Sequence, residues 1–145
     1  MEVQFTVPWF TFDENPTYPL PENYNYWVPL TQYYLKKTNL IEIHCWNEEK
    51  EILTEINSLF GAVINVETNL TIFKFSKNRK IEDYLTQQYK VAEKFKWFTV
   101  NFYSGSNVIF HSGHWATEFV VLDPGKADMD FIKAVTPSDT NFLQY

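Results

Sequence analysis

The chain has 145 residues, 45% of them hydrophobic and 21% charged, the size and composition of one globular domain that folds without a metal or disulfide staple. Its net charge of −6, with Arg79 the only arginine among twelve bases, argues against general nucleic-acid binding, where Lys and Arg neutralise phosphates. Cys45 is the only cysteine, so no intrachain disulfide forms, and no apolar run approaches the roughly 18 residues that a membrane span needs.

Residues 3–7 alternate Val3, Phe5 and Val7 against Gln4 and Thr6, which predicts a half-buried strand bent at Pro8, with Trp9, Phe10 and Phe12 continuing it as an edge. Residues 13–29 hold four prolines, Tyr18, Tyr24, Tyr26 and Trp27. Proline removes backbone donors, so 13–29 reads as irregular and 30–37 as a short helix, and the aromatics of the irregular, proline-rich stretch 13–34 predict that it packs on the domain. Leu40–Trp46 reads as a strand with Ile41, Ile43 and Cys45 on one face and Glu42, His44 and Trp46 on the other. Asn47 is a candidate cap for a helix carrying Ile52, Leu53, Ile56, Leu59 and Phe60, closed at Gly61.

Ala62–Val66 and Leu70–Phe75 form a predicted strand pair about Thr68-Asn69. Asn78 caps a predicted helix with Ile81, Tyr84, Leu85, Gln88, Ala92 and Phe95 on one stripe. Three strands follow, Trp97–Tyr103, Val108–His111 and Thr117–Leu122, with turns at Ser104-Gly105-Ser106 and Ser112-Gly113, and a last short helix spans 127–135. The expected fold is a single α+β domain with a mainly antiparallel sheet. Its centre runs βαββαβ in ferredoxin-like order, with extra strands and a short C-terminal helix. An open sheet with an added N-terminal strand is the nearest competing arrangement.

No nucleotide-binding, hydrolase or metalloprotease motif is present. His111-Ser112-Gly113-His114 is the most suggestive short run, but histidines three apart on a strand face opposite ways, so neither a metal nor a cofactor is expected. Cys45 beside His44 reads as a core thiol, since strand neighbours also diverge. Asp128 and Asp130 suit a helix start.

Charge is uneven. Residues 1–67 carry ten acids against three bases, and Glu48, Glu49, Glu51 and Glu55 crowd one helix. These four are the candidate partner-binding residues, since an acidic face can steer a basic partner. Trp97, Tyr103, His111, His114 and Glu118 are the candidate residues of an alternative small-ligand or enzymatic site at the sheet.

Small, acidic, aromatic-rich and single-cysteine, the chain is similar in general profile to bacterial immunity proteins, and its Asn, Lys, Ile, Tyr and Phe bias resembles that of AT-rich bacterial genomes. That resemblance is one of composition and carries no motif or residue. It implies a non-catalytic, cytoplasmic protein that blocks a cognate, basic toxin by direct binding, with no nucleic-acid or membrane partner. The opening MEVQFTVPWF, which has no basic region ahead of an apolar one, fits the same compartment.

Overall fold

The computed structural model describes residues 1–12, 15–59 and 61–144, and for residues 12 and 15–17 the main chain alone. It is a mixed α/β fold built on one eight-stranded sheet in which every neighbouring pair is antiparallel.

In chain order the elements are β1 (Glu2–Thr6), β2 (Phe10–Phe12), β3 (Asn15–Leu20), α1 (Trp27–Leu35), β4 (Leu40–Trp46), α2 (Lys50–Asn57), β5 (Val63–Val66) and β6 (Leu70–Ser76). Then come α3 (Arg79–Gln87), β7 (Lys90–Val91), β8 (Lys94–Phe95), β9 (Thr99–Ser104), β10 (Asn107–Gly113), β11 (Glu118–Leu122), α4 (Lys126–Val135) and β12 (Asn141–Gln144). The sheet order is β12-β1-β11-β10-β9-β4-β6-β5, while β2-β3 and β7-β8 are separate two-stranded ribbons.

Strand periodicity of two assigns each residue to a face, and register extends that assignment across the sheet. Ile41 lies between Phe75 and Phe102, and Ile43 between Phe73 and Val100. Phe110, Val121, Phe119, Val3 and Phe5 continue the same face through β10, β11 and β1. All of these are buried and share one core cluster with Leu30 and Tyr34 of α1, Ile56 of α2, Ile81 and Leu85 of α3, and Ile132 of α4. The opposite face carries no helix from this cluster. There the register runs Lys74, Glu42, Asn101, His111, Val120 across five strands.

Local sequence explains three of the four helix starts among the described residues. Asn78 Oδ1 accepts the Ile81 amide at 3.1 Å, the expected cap of α3. Asp128 Oδ2 accepts the Gly125 amide at 2.8 Å at the start of α4. Pro29 sits in the first turn of α1, where its missing N–H leaves no helical bond unmade.

Three expectations are corrected and one strand is added. Asn47 does not cap α2, whose N-cap is Glu49; the Asn47 amide instead donates to the carbonyls of Glu67 and Thr68, and its Oδ1 accepts Thr71 Oγ1 at 2.6 Å. The stripe through Ala92 and Phe95 is not helical, because α3 stops at Gln87 and the chain turns back at Ala92 (φ 55°) into the β7-β8 ribbon. This delivers Phe95 against Trp27, ring centroids 4.6 Å apart. Part of the 13–34 segment forms the β2-β3 ribbon, whose register shifts between Phe10 and Phe12, so Pro16 and Pro19 fall where the ladder is irregular. Tyr18, Leu20, Tyr24, Tyr26 and Trp27 of that segment are buried, while residues 13, 14 and Phe60 lie outside the described residues. Finally, β12 extends the sheet beyond β1, a strand that the short 141–144 run does not announce. No helix among the described residues is long and apolar enough to cross a membrane.

Candidate functional site

Two places gather polar side chains into defined geometry. The first is a cleft of about 630 Å³ between α2 and the β7-β8 ribbon. Glu48, Glu49, Glu51 and Glu55 all line it, with Tyr18, Phe95, Ile52 and Val91 as its apolar surface and Lys50, Lys94 and Lys96 as its cations. Two of the acids are already constrained. Glu55 Oε1 accepts Lys96 Nζ at 2.5 Å, and that ammonium is buried beside the Tyr84 ring, so Glu55 neutralises a core cation. Glu49 is half-buried with no hydrogen-bond partner on Oε1 among the described residues. Burial pushes its carboxyl above the ordinary value, Glu48 adds to the rise, and a main-chain bond at Trp46 and the Lys94 charge offset part of it. Lys94 Nζ lies 5.1 Å from the centre of the Tyr18 ring. Glu48 and Glu51 remain exposed at the mouth.

The second place is the helix-free face of the sheet. Glu42 is 8% exposed in its side chain, and its carboxylate is ringed by partners. Oε1 accepts His44 Nε2 at 2.7 Å and Asn101 Nδ2 at 3.0 Å. Oε2 accepts the Tyr103 hydroxyl at 3.3 Å and lies 3.6 Å from Lys74 Nζ. Burial alone would raise the Glu42 carboxyl, but the bonds from Asn101 and His44 and the charges of His44 and Lys74 outweigh it and hold the group below its usual value. Because Asn101 donates to Glu42, its Oδ1 turns to His111 Nδ1 at 2.6 Å. That orientation assigns the His111 proton to Nδ1 and the lone pair to Nε2. Burial, with His44 nearby, pushes the His111 pKa down and keeps the ring neutral at pH 7.

The structure separates the five residues of the alternative site. Tyr103 and His111 join the Glu42 network. Trp97 lies in the core, its ring against Phe95 and Tyr84. His114 and Glu118 sit at the β10-β11 connection, His114 Nδ1 4.0 Å from a Glu118 oxygen. The bend there does not use Gly113. His114, Trp115 and Ala116 take φ of 49°, 52° and 63°, three successive non-glycine residues in the left-handed region. Thr117 N–H to Gly113 O (3.2 Å), Trp115 N–H to Phe98 O (3.1 Å) and Tyr26 OH to Ala116 O (2.5 Å) hold this turn. Among the described residues no three His, Cys, Asp or Glu side chains converge as metal ligands would. Sequence reading missed Asn101, Lys94 and Lys96 entirely, and gave Glu42 only a strand face. The alternation of a buried strand could have flagged Glu42, a carboxylate between Ile41 and Ile43.

Comparison with known protein families, with curated proteins and with solved structures finds no match to this chain.

Proposed function

We propose that this is a small protein-binding domain of the immunity type, which neutralises a cognate basic toxin by docking it at the cleft between α2 and the β7-β8 ribbon. One observation carries the reading. The four acids that stand together in sequence also line one open cleft, beside aromatic and aliphatic surface that a partner side chain can bury against. Exposed Glu48 and Glu51 suit long-range steering, and half-buried Glu49 suits a desolvated contact with an incoming cation. Cytoplasmic residence belongs to the same proposal. So does a ferredoxin-like centre over β4 to β9, which the order β9-β4-β6-β5 supports.

The test is capture of a partner from the native host followed by stopped-flow association at low and high salt. A basic partner is expected. Its association should slow as salt rises, because the attraction is screened over about 8 Å at physiological ionic strength. Charge reversal at Glu48 and Glu51 should slow association further and leave dissociation nearly unchanged. An acidic partner, or an association rate indifferent to both salt and charge reversal, would refute the proposal.

A further inference from the structure

β5 is one edge of the sheet and, among the described residues, pairs with β6 alone. Its sequence, Val63-Ile64-Asn65-Val66, contains no charge, no proline and no bulge, so of the devices by which sheet edges avoid further pairing only its shortness remains. Val63 is 70%, Ile64 45% and Val66 70% exposed, so this apolar strand meets solvent on both faces.

The direction of the main-chain groups follows from the hairpin. Glu67 N–H donates to Leu70 O at 2.8 Å, closing the turn. Hydrogen-bonded and non-bonded residues alternate along an antiparallel pair. Asn65 and Val63 therefore turn their main-chain groups toward β6, and Ile64 and Val66 turn theirs outward.

We infer that β5 pairs with β5 of a second copy of this chain, antiparallel about a two-fold axis at Asn65. In that register Ile64 of each copy exchanges main-chain bonds with Val66 of the other, using the outward donors and acceptors. Ile64 and Val66 share the helix-bearing face, in register with Phe73 and Thr71, so four apolar side chains meet there. On the opposite face Asn65 meets its own counterpart, and Val63 meets the partner copy's Glu67. Lys74, opposite Val63 on β6, stands two strands away in that row and is engaged by Glu42, so the seam itself is made of main-chain bonds and apolar side chains. A two-fold axis at Ile64 would instead oppose apolar Val63 to polar Asn65. A second copy fits because the contact is self-complementary, as two-fold interfaces must be, and the absence of charge on β5 spares it the like-charge repulsion of a chain with net charge −6. With only four residues per strand, the pairing is reversible.

Sedimentation equilibrium of the full chain from micromolar to near-millimolar concentration tests this. The apparent mass should rise from 17.3 kDa toward twice that value, and Val66→Lys, at an exposed position, should hold it at the monomer while leaving the melting temperature unchanged. The register has its own measurement. Directly opposed Asn65 residues form a non-bonded pair with Cα atoms about 4.5 Å apart, inside the range of a disulfide at about 4.4–6.8 Å. Under mild oxidation Asn65→Cys should yield reducible dimer an order of magnitude faster than Lys36→Cys on the exposed end of α1, and buried Cys45 should not contribute. A mass fixed at the monomer, a dimer that survives Val66→Lys, or equal cross-linking of the two cysteine variants would each overturn the inference.

Discussion

The His111 ring lies over the α-carbon of Gly113, so close that a Cβ at Gly113 would stand 2.8 Å from His111 Nε2. Residues two apart on a strand share a face, and here the smaller makes room for the larger. The ring cannot simply swing away, because Nδ1 is held by Asn101 at 2.6 Å. Gly113→Ala should therefore break that bond and cost about 1–2 kcal/mol in urea unfolding. In the His111→Ala background the same change should be nearly neutral. Additive losses in this double-mutant cycle would show that the two residues are not coupled.

Glu42 is the acceptor on which His44, Asn101 and Tyr103 converge. Removing one member of a buried charged cluster leaves the others desolvated and unpaired. Glu42→Ala should destabilise the fold by about 3 kcal/mol, and Glu42→Gln by less, since an amide oxygen still accepts. A loss from Glu42→Ala below about 1 kcal/mol, the scale of a surface pair, would show that the network is solvated rather than buried.

Alternation in Leu40–Trp46 made one sheet face legible from sequence, and Ile41, Ile43 and Cys45 are indeed in the core. Asn78 and Asp128 were legible as caps because capping is local. The β7-β8 ribbon was not legible, because Ala92 and Phe95 continue the helical stripe of α3 and the ribbon is dictated by tertiary packing on Trp27 and Tyr24. The Glu42 network was invisible for a related reason. Its members lie on four strands, with β4 and β6 far in sequence from β9 and β10, and only register brings Lys74, Glu42, Asn101 and His111 into line. The cleft acids were legible as a cluster, but Lys96, which claims Glu55, comes from across the fold.

Acid should weaken the fold in two stages. His111 has its folded pKa below its ordinary 6.5, so the unfolded chain binds its proton first and stability falls as pH drops below that value. Glu42 and Asp128 behave as lowered carboxylates, whose stabilisation is full above the unfolded pKa and lost as pH falls through the folded one. The Tyr33 hydroxyl, with Lys37, holds Asp128 down to about 2 from 3.8, so its share disappears between those values. Melting temperature measured from pH 8 to pH 2 should show both declines. His111→Asn should flatten the first and leave the second. An unchanged first decline in that variant would assign it to another group.

Glu49 has the opposite sign and ties stability to the proposed docking cleft. Its raised pKa means that the protonated form is favoured in the folded state, so its stabilising share is present below about the ordinary 4.5 and lost as pH rises through the folded value. At pH 7 the charged, partly desolvated carboxylate, with Oε1 unpaired among the described residues, opposes folding. Glu49→Gln should raise the melting temperature at pH 7, by a stabilisation kept under about 1 kcal/mol by solvent screening at this half-exposed position. At pH 3, where the native side chain is neutral, the gain should vanish. The same variant should release a basic partner faster, since the amide cannot balance the partner's charge. Binding and stability would then move in opposite directions from one atom's change, as expected where a site is held at some cost to the fold. A variant that melts lower at pH 7, or that gains equally at both pH values, would show that the Glu49 charge is already satisfied within the domain.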